Sequence, residues 1–291
     1  MARVSSTSKF AFLIGLSLLP AWPALHATYT LATQQDEYTH ILLVIPIAVA
    51  FFYLDRRSVE RTLAPGIKLG GIILAASCLA ALIGHRAAST PDVKLSLAIA
   101  ALVSWWIGSF IFCFGIAAAR RARFPLGFLY WLVPWPDNIL DIAVGWLQRE
   151  SALAASWMFS LSRTPVSLAG TILTLPGLVL NVAPECSSLR SSLLLVITTM
   201  IFAQLFLQSP WRKLALVLAA VLLSPVKNGF RIFVIGYLTL RVDPTYLTGH
   251  LHHDGGVLFL AVAQTIIFIL LWFLRRGETT SAPVSVQTNA Y

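Results

Sequence analysis

Apolar runs long enough to cross a lipid bilayer recur from one end of this chain to the other, separated by short polar breaks. Lipid offers no partner for a backbone N–H or C=O, so such runs have one local solution, the α-helix. A crossing takes about 20 apolar residues. Candidate spans lie at 10–19, 38–54, 69–84, 95–119, a short one near 124–133, 189–207, 214–223 with its flanks, and 257–274, which makes about eight. The charge content agrees: 11% of residues are charged and 57% hydrophobic, where an ordinary soluble domain has roughly 25% charged residues. The expected fold class is therefore an all-α polytopic membrane protein with short extracytoplasmic loops. It reads as one transmembrane domain over residues 1–276, followed at 277–291 by a small, polar tail with the composition of a disordered cytoplasmic segment. The first run follows Arg3 and Lys9 and reads as an uncleaved first helix rather than a cleaved signal peptide.

A net charge of +9 does not point to nucleic acid, because no basic stripe carries interleaved aromatics for base stacking. The basic residues instead cluster at the ends of apolar runs: Arg56/Arg57/Arg61, Arg120/Arg121/Arg123, Arg212/Lys213 and Arg275/Arg276. If the spans alternate across the bilayer, all four clusters fall on one side, which the positive-inside rule makes cytoplasmic. Residues 29–36, 137–185 and 227–256 then face the other, extracytoplasmic side. Within the last of these, 232–240 is apolar but about half the length of a crossing, so it is expected to lie at the interface or dip in and return, keeping Arg231 and Arg241 on one face. Between 138 and 185 polar and apolar residues alternate around Trp146 and Trp157, a pattern that predicts an interfacial amphipathic helix followed by an extended turn at 171–177.

Three polar patches interrupt the apolar second half: Pro184-Glu185-Cys186-Ser187-Ser188-Leu189-Arg190, Lys227-Asn228-Gly229-Phe230-Arg231 and Leu251-His252-His253-Asp254-Gly255-Gly256. Each adjoins a span, and ionisable groups at such depth tend to be paired, water-lined or functional. The expected topology puts all three on the extracytoplasmic face. Of the three cysteines, Cys78 and Cys113 lie inside apolar runs and read as small buried hydrophobes, whereas Cys186 lies at a polar break where a thiol can ionise. A thiolate attacks a carbonyl, a neighbouring His or Arg lowers the cysteine pKa, His returns a proton to a leaving amine, and Arg stabilises an oxyanion. Singly, each residue has a plainer role: a structural cysteine, a snorkelling arginine, a solvated histidine. There is no metal-ligand spacing, phosphate-binding glycine loop or internal repeat.

At these patches the chain resembles the exosortase/archaeosortase family, multi-spanning membrane proteins that cut and transfer proteins bearing a C-terminal sorting signal. Val182-Ala183-Pro184-Glu185-Cys186-Ser187-Ser188-Leu189-Arg190-Ser191-Ser192 is similar to the family's nucleophile motif, in which Cys-Ser-Gly is usual. Lys227-Asn228-Gly229-Phe230-Arg231-Ile232 resembles its Asn-x-x-Arg motif, and Leu251-His252-His253-Asp254-Gly255-Gly256-Val257-Leu258-Phe259 its histidine motif. Phe124-Pro125-Leu126 through Pro134-Trp135-Pro136 is similar to a segment ahead of the catalytic half, here about 124–260. The resemblance implies Cys186 as nucleophile, Arg231 as transition-state or substrate-carbonyl partner, and His252 as acid/base, with His253 the alternative. Glu185, Ser187, Arg190, Asn228, His253 and Asp254 are implied as substrate-binding or supporting residues. Ser188 departs from the family pattern, since a hydroxymethyl replaces the usual glycine and restricts the backbone's access to positive φ.

The function so implied is a membrane cysteine transpeptidase that works without a metal or organic cofactor. It would cleave a C-terminal sorting signal through a thioester and pass the product to an acceptor, which is lipid- or polysaccharide-linked, or water. The expected setting is the inner membrane of a Gram-negative cell, with the site on the periplasmic side and the bilayer and a secreted substrate as partners. Two rival readings accompany it: a hydrolytic intramembrane protease without transfer, and a non-enzymatic transporter or partner in exopolysaccharide assembly.

Overall fold

A computed structural model describes residues 2–60, 64–182, 189–247 and 256–279. Two compact units divide the chain, residues 1–141 and 142–291. Among the described residues, seven helices are long and apolar enough to cross a membrane, so the chain is an all-α polytopic membrane protein, apart from one small sheet.

The first unit contains α1 (Ala2–Gln34), α2 (Ile41–Glu60), α3 (Ile67–Ala87), α4 (Pro91–Phe114) and two short helices, α5 (Ile116–Arg121) and α6 (Arg123–Phe128). Helices surrounded by lipid gain little from apolar contact alone, so close approach depends on small residues. The α3–α4 pair shows this: a Cβ on Gly70 would lie 2.5 Å from the Cα of Phe112, and one on Gly108 would lie 2.9 Å from the Ile73 side chain. Indole N–H groups tie α4 to α1, from Trp105 to the Leu13 carbonyl at 2.9 Å and from Trp106 to the Ser17 hydroxyl at 3.1 Å. The stretch expected to make a short crossing near 124–133 instead forms α6 and a 3-10 turn at Leu129–Leu132. Ten helical residues reach only about 15 Å, and Pro134 and Pro136 stop the helix from continuing. The other seven expected spans lie on helices, although 95–119 is broken at Gly115, where α4 ends.

The second unit takes in most of α7 (Asp137–Leu161), three strands, and three long helices: α8 (Leu189–Phe206), α9 (Pro210–Arg241) and α10 (Gly256–Thr279). Strands β1 (Ser167–Ala169), β2 (Ile172–Leu175) and β3 (Leu178–Asn181) form an antiparallel meander in which Ser167 pairs with Thr174 and Leu175 with Leu178. Pro176-Gly177 makes the second turn, with Gly177 at φ +82°, as a proline followed by a left-handed glycine dictates. The expected extended turn at 171–177 is thus the heart of a three-stranded sheet.

That sheet changes the reading of 232–240. Buried Leu173, Leu175 and Leu180 pack on Phe159 of α7 and on Ile232, Phe233 and Leu240 of α9. The segment has a protein surface to cover it and no reason to re-enter lipid. It continues α9, a single helix of 32 residues that also contains Pro225. At 1.5 Å per residue α9 is about 48 Å long, against about 30 Å of hydrocarbon.

A second core joins α8, α9 and α10 through Leu195, Leu216, Ala220, Ala263 and Ile267. At one end of this bundle the helix termini cap one another. The Glu278 carboxylate accepts the N–H groups of Gln208 and Ser209 at 2.9 and 2.8 Å, and Arg212 donates to the carbonyls of Leu274 and Gly277, each at 3.0 Å. This contact keeps residues 277–279 helical, where the composition had suggested that the tail begins. It also joins the ends that carry Arg212/Lys213 and Arg275/Arg276, as their shared assignment to one side of the membrane required.

Candidate active site

Lys213 Nζ donates to Gln204 Oε1 at 2.7 Å, and Lys227 Nζ donates to Ser191 Oγ. The partners on α9 are therefore 14 residues apart in one direction and those on α8 are 13 apart in the other. The two helices are antiparallel, and α8 begins at the end of the bundle away from Arg212. The start of α10 lies at the same distal end, because its last turn meets Arg212 and the Phe259 ring sits 5.8 Å from that of Phe230 on α9.

Residues 227–231 of α9 are held at this distal end from two sides. Asn228, 1% exposed, donates from Nδ2 to Ser151 Oγ of α7 at 3.1 Å. The absent side chain of Gly229 lets α7 come in close, since a Cβ there would stand 2.6 Å from that of Ala154 and 2.8 Å from the Ser151 carbonyl oxygen. On the other side lies Ser191, in the first turn of α8. Arg231 follows Lys227 by four residues and Asn228 by three, so it neighbours each of them on the helix surface. Arg231 is half-buried and has an interaction partner. Arg190 is exposed on the first turn of α8 and is likewise engaged.

The anchors of the neighbouring segments point to the same place. Gln148, one turn before Ser151 on α7, donates from Nε2 to the Val182 carbonyl at 2.8 Å, and the Val182 N–H bonds the Thr171 carbonyl at 3.0 Å. The chain resumes at Leu189, which is buried. Cys186, Glu185 and Ser187 lie outside the described residues, between these two anchors. His252, His253 and Asp254 also lie outside them, just ahead of Gly256, where α10 starts. The described frame therefore brings together Arg231, Asn228 and the first turns of α8 and α10.

A family model described as transmembrane exosortase matches residues 32–269, most of the chain and both of its units. The chain belongs to the transmembrane exosortase family. No curated protein and no solved structure matches it. Membership makes this exosortase a multi-pass membrane protein of sorting-signal processing. The match extends well upstream of 125–259, the stretch over which motifs are recognisable by eye. Two residues of this exosortase's distal end carry no role in the sequence reading although both lie in its motifs, Lys227 and its partner Ser191. The available signal was a lysine inside an apolar run, an expensive placement in any membrane helix.

Proposed function

We propose that this exosortase is a cysteine transpeptidase acting on the C-terminal sorting signal of an exported protein. One observation carries the reading: α9 presents Arg231 at the end of the bundle where α8 and α10 begin, the two helices that directly follow Cys186 and the histidine pair in the chain. The Cys186 thiolate attacks a peptide carbonyl and forms a C–S bond, and Arg231 stabilises the oxyanion of the tetrahedral intermediate. His252, or His253 beside it, protonates the leaving amine as the C–N bond breaks, and a thioester remains. An acceptor amine then attacks the thioester and gives its proton to the same imidazole as the C–S bond breaks, which releases the cysteine as thiolate and restores the starting state. Nucleophile, proton carrier and oxyanion partner are all side chains, so the sequence of steps calls on no cofactor. In this reading Asn228 fixes α9 through Ser151, while Glu185, Ser187, Arg190 and Asp254 support the reacting groups. The site faces the periplasm, at the inner membrane, and the acceptor is lipid- or polysaccharide-linked.

The test is co-expression of a tagged substrate with Cys186→Ala, Arg231→Ala and His252→Ala variants. All three should stop processing, with a loss of at least about a hundredfold for the cysteine. Undiminished processing by Cys186→Ala would refute the mechanism. The mass of the product's C-terminus identifies the acceptor: an amine adduct for transfer, a free carboxylate for hydrolysis.

A further inference from the structure

The distal end contains, besides Arg231 and Arg190, a cation that the proposed reaction does not use. Lys227 lies one helical turn before Arg231 on the same face of α9 and is only 6% exposed. A lysine near the end of a span normally extends its long stem toward water. Here the stem turns instead to Ser191 of α8. Among the described residues, the charge that acts on Lys227 is Arg231, a like charge at the spacing where two cations repel. α8 offers it the Ser191 hydroxyl, and the α7 residue at this level, Ser151, is already bonded to Asn228. A buried lysine kept beside an arginine is better explained by use than by packing, because an apolar residue would fill the space without the penalty of burying charge.

We propose that Lys227 is a positioning residue for the acyl transfer: through Ser191 it docks the first turn of α8, five residues after Cys186, onto the Arg231 face of α9, and when protonated it adds a second positive charge to that face. The proposal rests on the cysteine reading above. Tether and charge are separable, because Ser191→Ala removes the first and keeps the second, whereas Lys227→Gln keeps a hydrogen-bond donor and removes the charge.

The experiment uses the full chain in isolated membranes, with Cys78→Ser and Cys113→Ser so that Cys186 is the remaining thiol. Two quantities are measured: kcat and KM for a tagged substrate, and the rate at which iodoacetamide labels Cys186 at one near-neutral pH, which follows the thiolate fraction. Lys227→Gln should lower kcat about tenfold with KM little changed, and should slow labelling severalfold. Lys227→Arg should restore most of both losses. Ser191→Ala should lower kcat by a smaller factor and leave labelling near the parent rate. Wild-type kcat and labelling in Lys227→Gln would overturn the proposal. So would slow turnover with unchanged labelling and no rescue by arginine, the pattern of a packing role alone. If Lys227→Gln fails to accumulate, wild-type kinetics in Ser191→Ala overturn it. Cys186→Ala is the control for the underlying reading: if that variant still processes substrate the mechanism itself fails, and if it is silent while Lys227→Gln is normal, only the role of Lys227 fails.

Discussion

Gly229 has a duty that its place in an Asn-x-x-Arg motif does not reveal. It separates Asn228 from Phe230 and Arg231 on a helix interior, where glycine is less favourable than alanine by about 1 kcal/mol. The structure supplies the compensation, because the missing side chain lets the backbone of α7 approach to a distance no Cβ would tolerate. A β-branched residue there must push α7 and α9 apart, break the Asn228–Ser151 bond, and shift Arg231 relative to α8. Gly229→Val should therefore destabilise the second unit by about 1–3 kcal/mol and suppress processing. The check is the temperature at which half of the detergent-solubilised protein loses its monodisperse peak; an unchanged temperature would show that α7 is not held as described. Asn228, Arg190 and Arg231 were candidates from the sequence, and the fold puts them on α9 and the first turn of α8. Lys227 stood in a polar patch without a role of its own, because the sequence does not show where its stem points; the direction toward Ser191 supplies that.

Among the elements, the helices were easier to foresee than their ends. Seven apolar runs became seven helices, since hydrocarbon leaves the backbone no other choice. The short strands were hidden: β2 and β3 have 4 residues each, and their alternation lay next to the stronger amphipathic signal of α7. α9 was cut short on paper because 232–240, taken alone, is too short to cross, and the sheet that covers it is assembled from residues some 50–70 positions earlier. The turn that ends α4 makes a sharper case. Gly115 has φ +90°, and a Cβ there would lie 1.7 Å from the Ala64 carbonyl oxygen. Ala64 and Gly66 donate their N–H groups to the carbonyls of Phe114 and Ile111, both at 3.1 Å, so the connection into α3 cannot withdraw without losing both bonds. Gly115→Ala should lower thermal stability by about 2–4 kcal/mol, from strain plus the lost bonds. A melting temperature within a degree or so of the parent would contradict this account.

For the molecule as a whole, the quantity beyond reach of the sequence was which helix ends meet. Basic clusters give a side of the membrane, but the register of α8 against α9 is set by two lysine bonds and a shared core. The cap between Arg212 and Glu278 then fixes where α10 finishes. This arrangement predicts that α9 crosses once. Single cysteines at Gln208 and Val242, both exposed, in a chain lacking the natural three, should react with a membrane-impermeant maleimide from opposite sides of sealed vesicles. Labelling of both from one side would mean that α9 returns, as 232–240 by itself had suggested.

The length of α9 sets a dimension for the chemistry. With Arg212 and Lys213 held in one headgroup layer, Arg231 stands about 27 Å further along the axis, close to where the opposite headgroups start in an average bilayer. The remaining turns, braced by the sheet, rise beyond the oil like a mast above a deck. Under the proposed function, membrane thickness becomes a setting of the chemistry: thicker lipid would submerge the guanidinium, thinner lipid would lift it clear, and a sorting signal anchored in that same bilayer would move along with the scale that measures it.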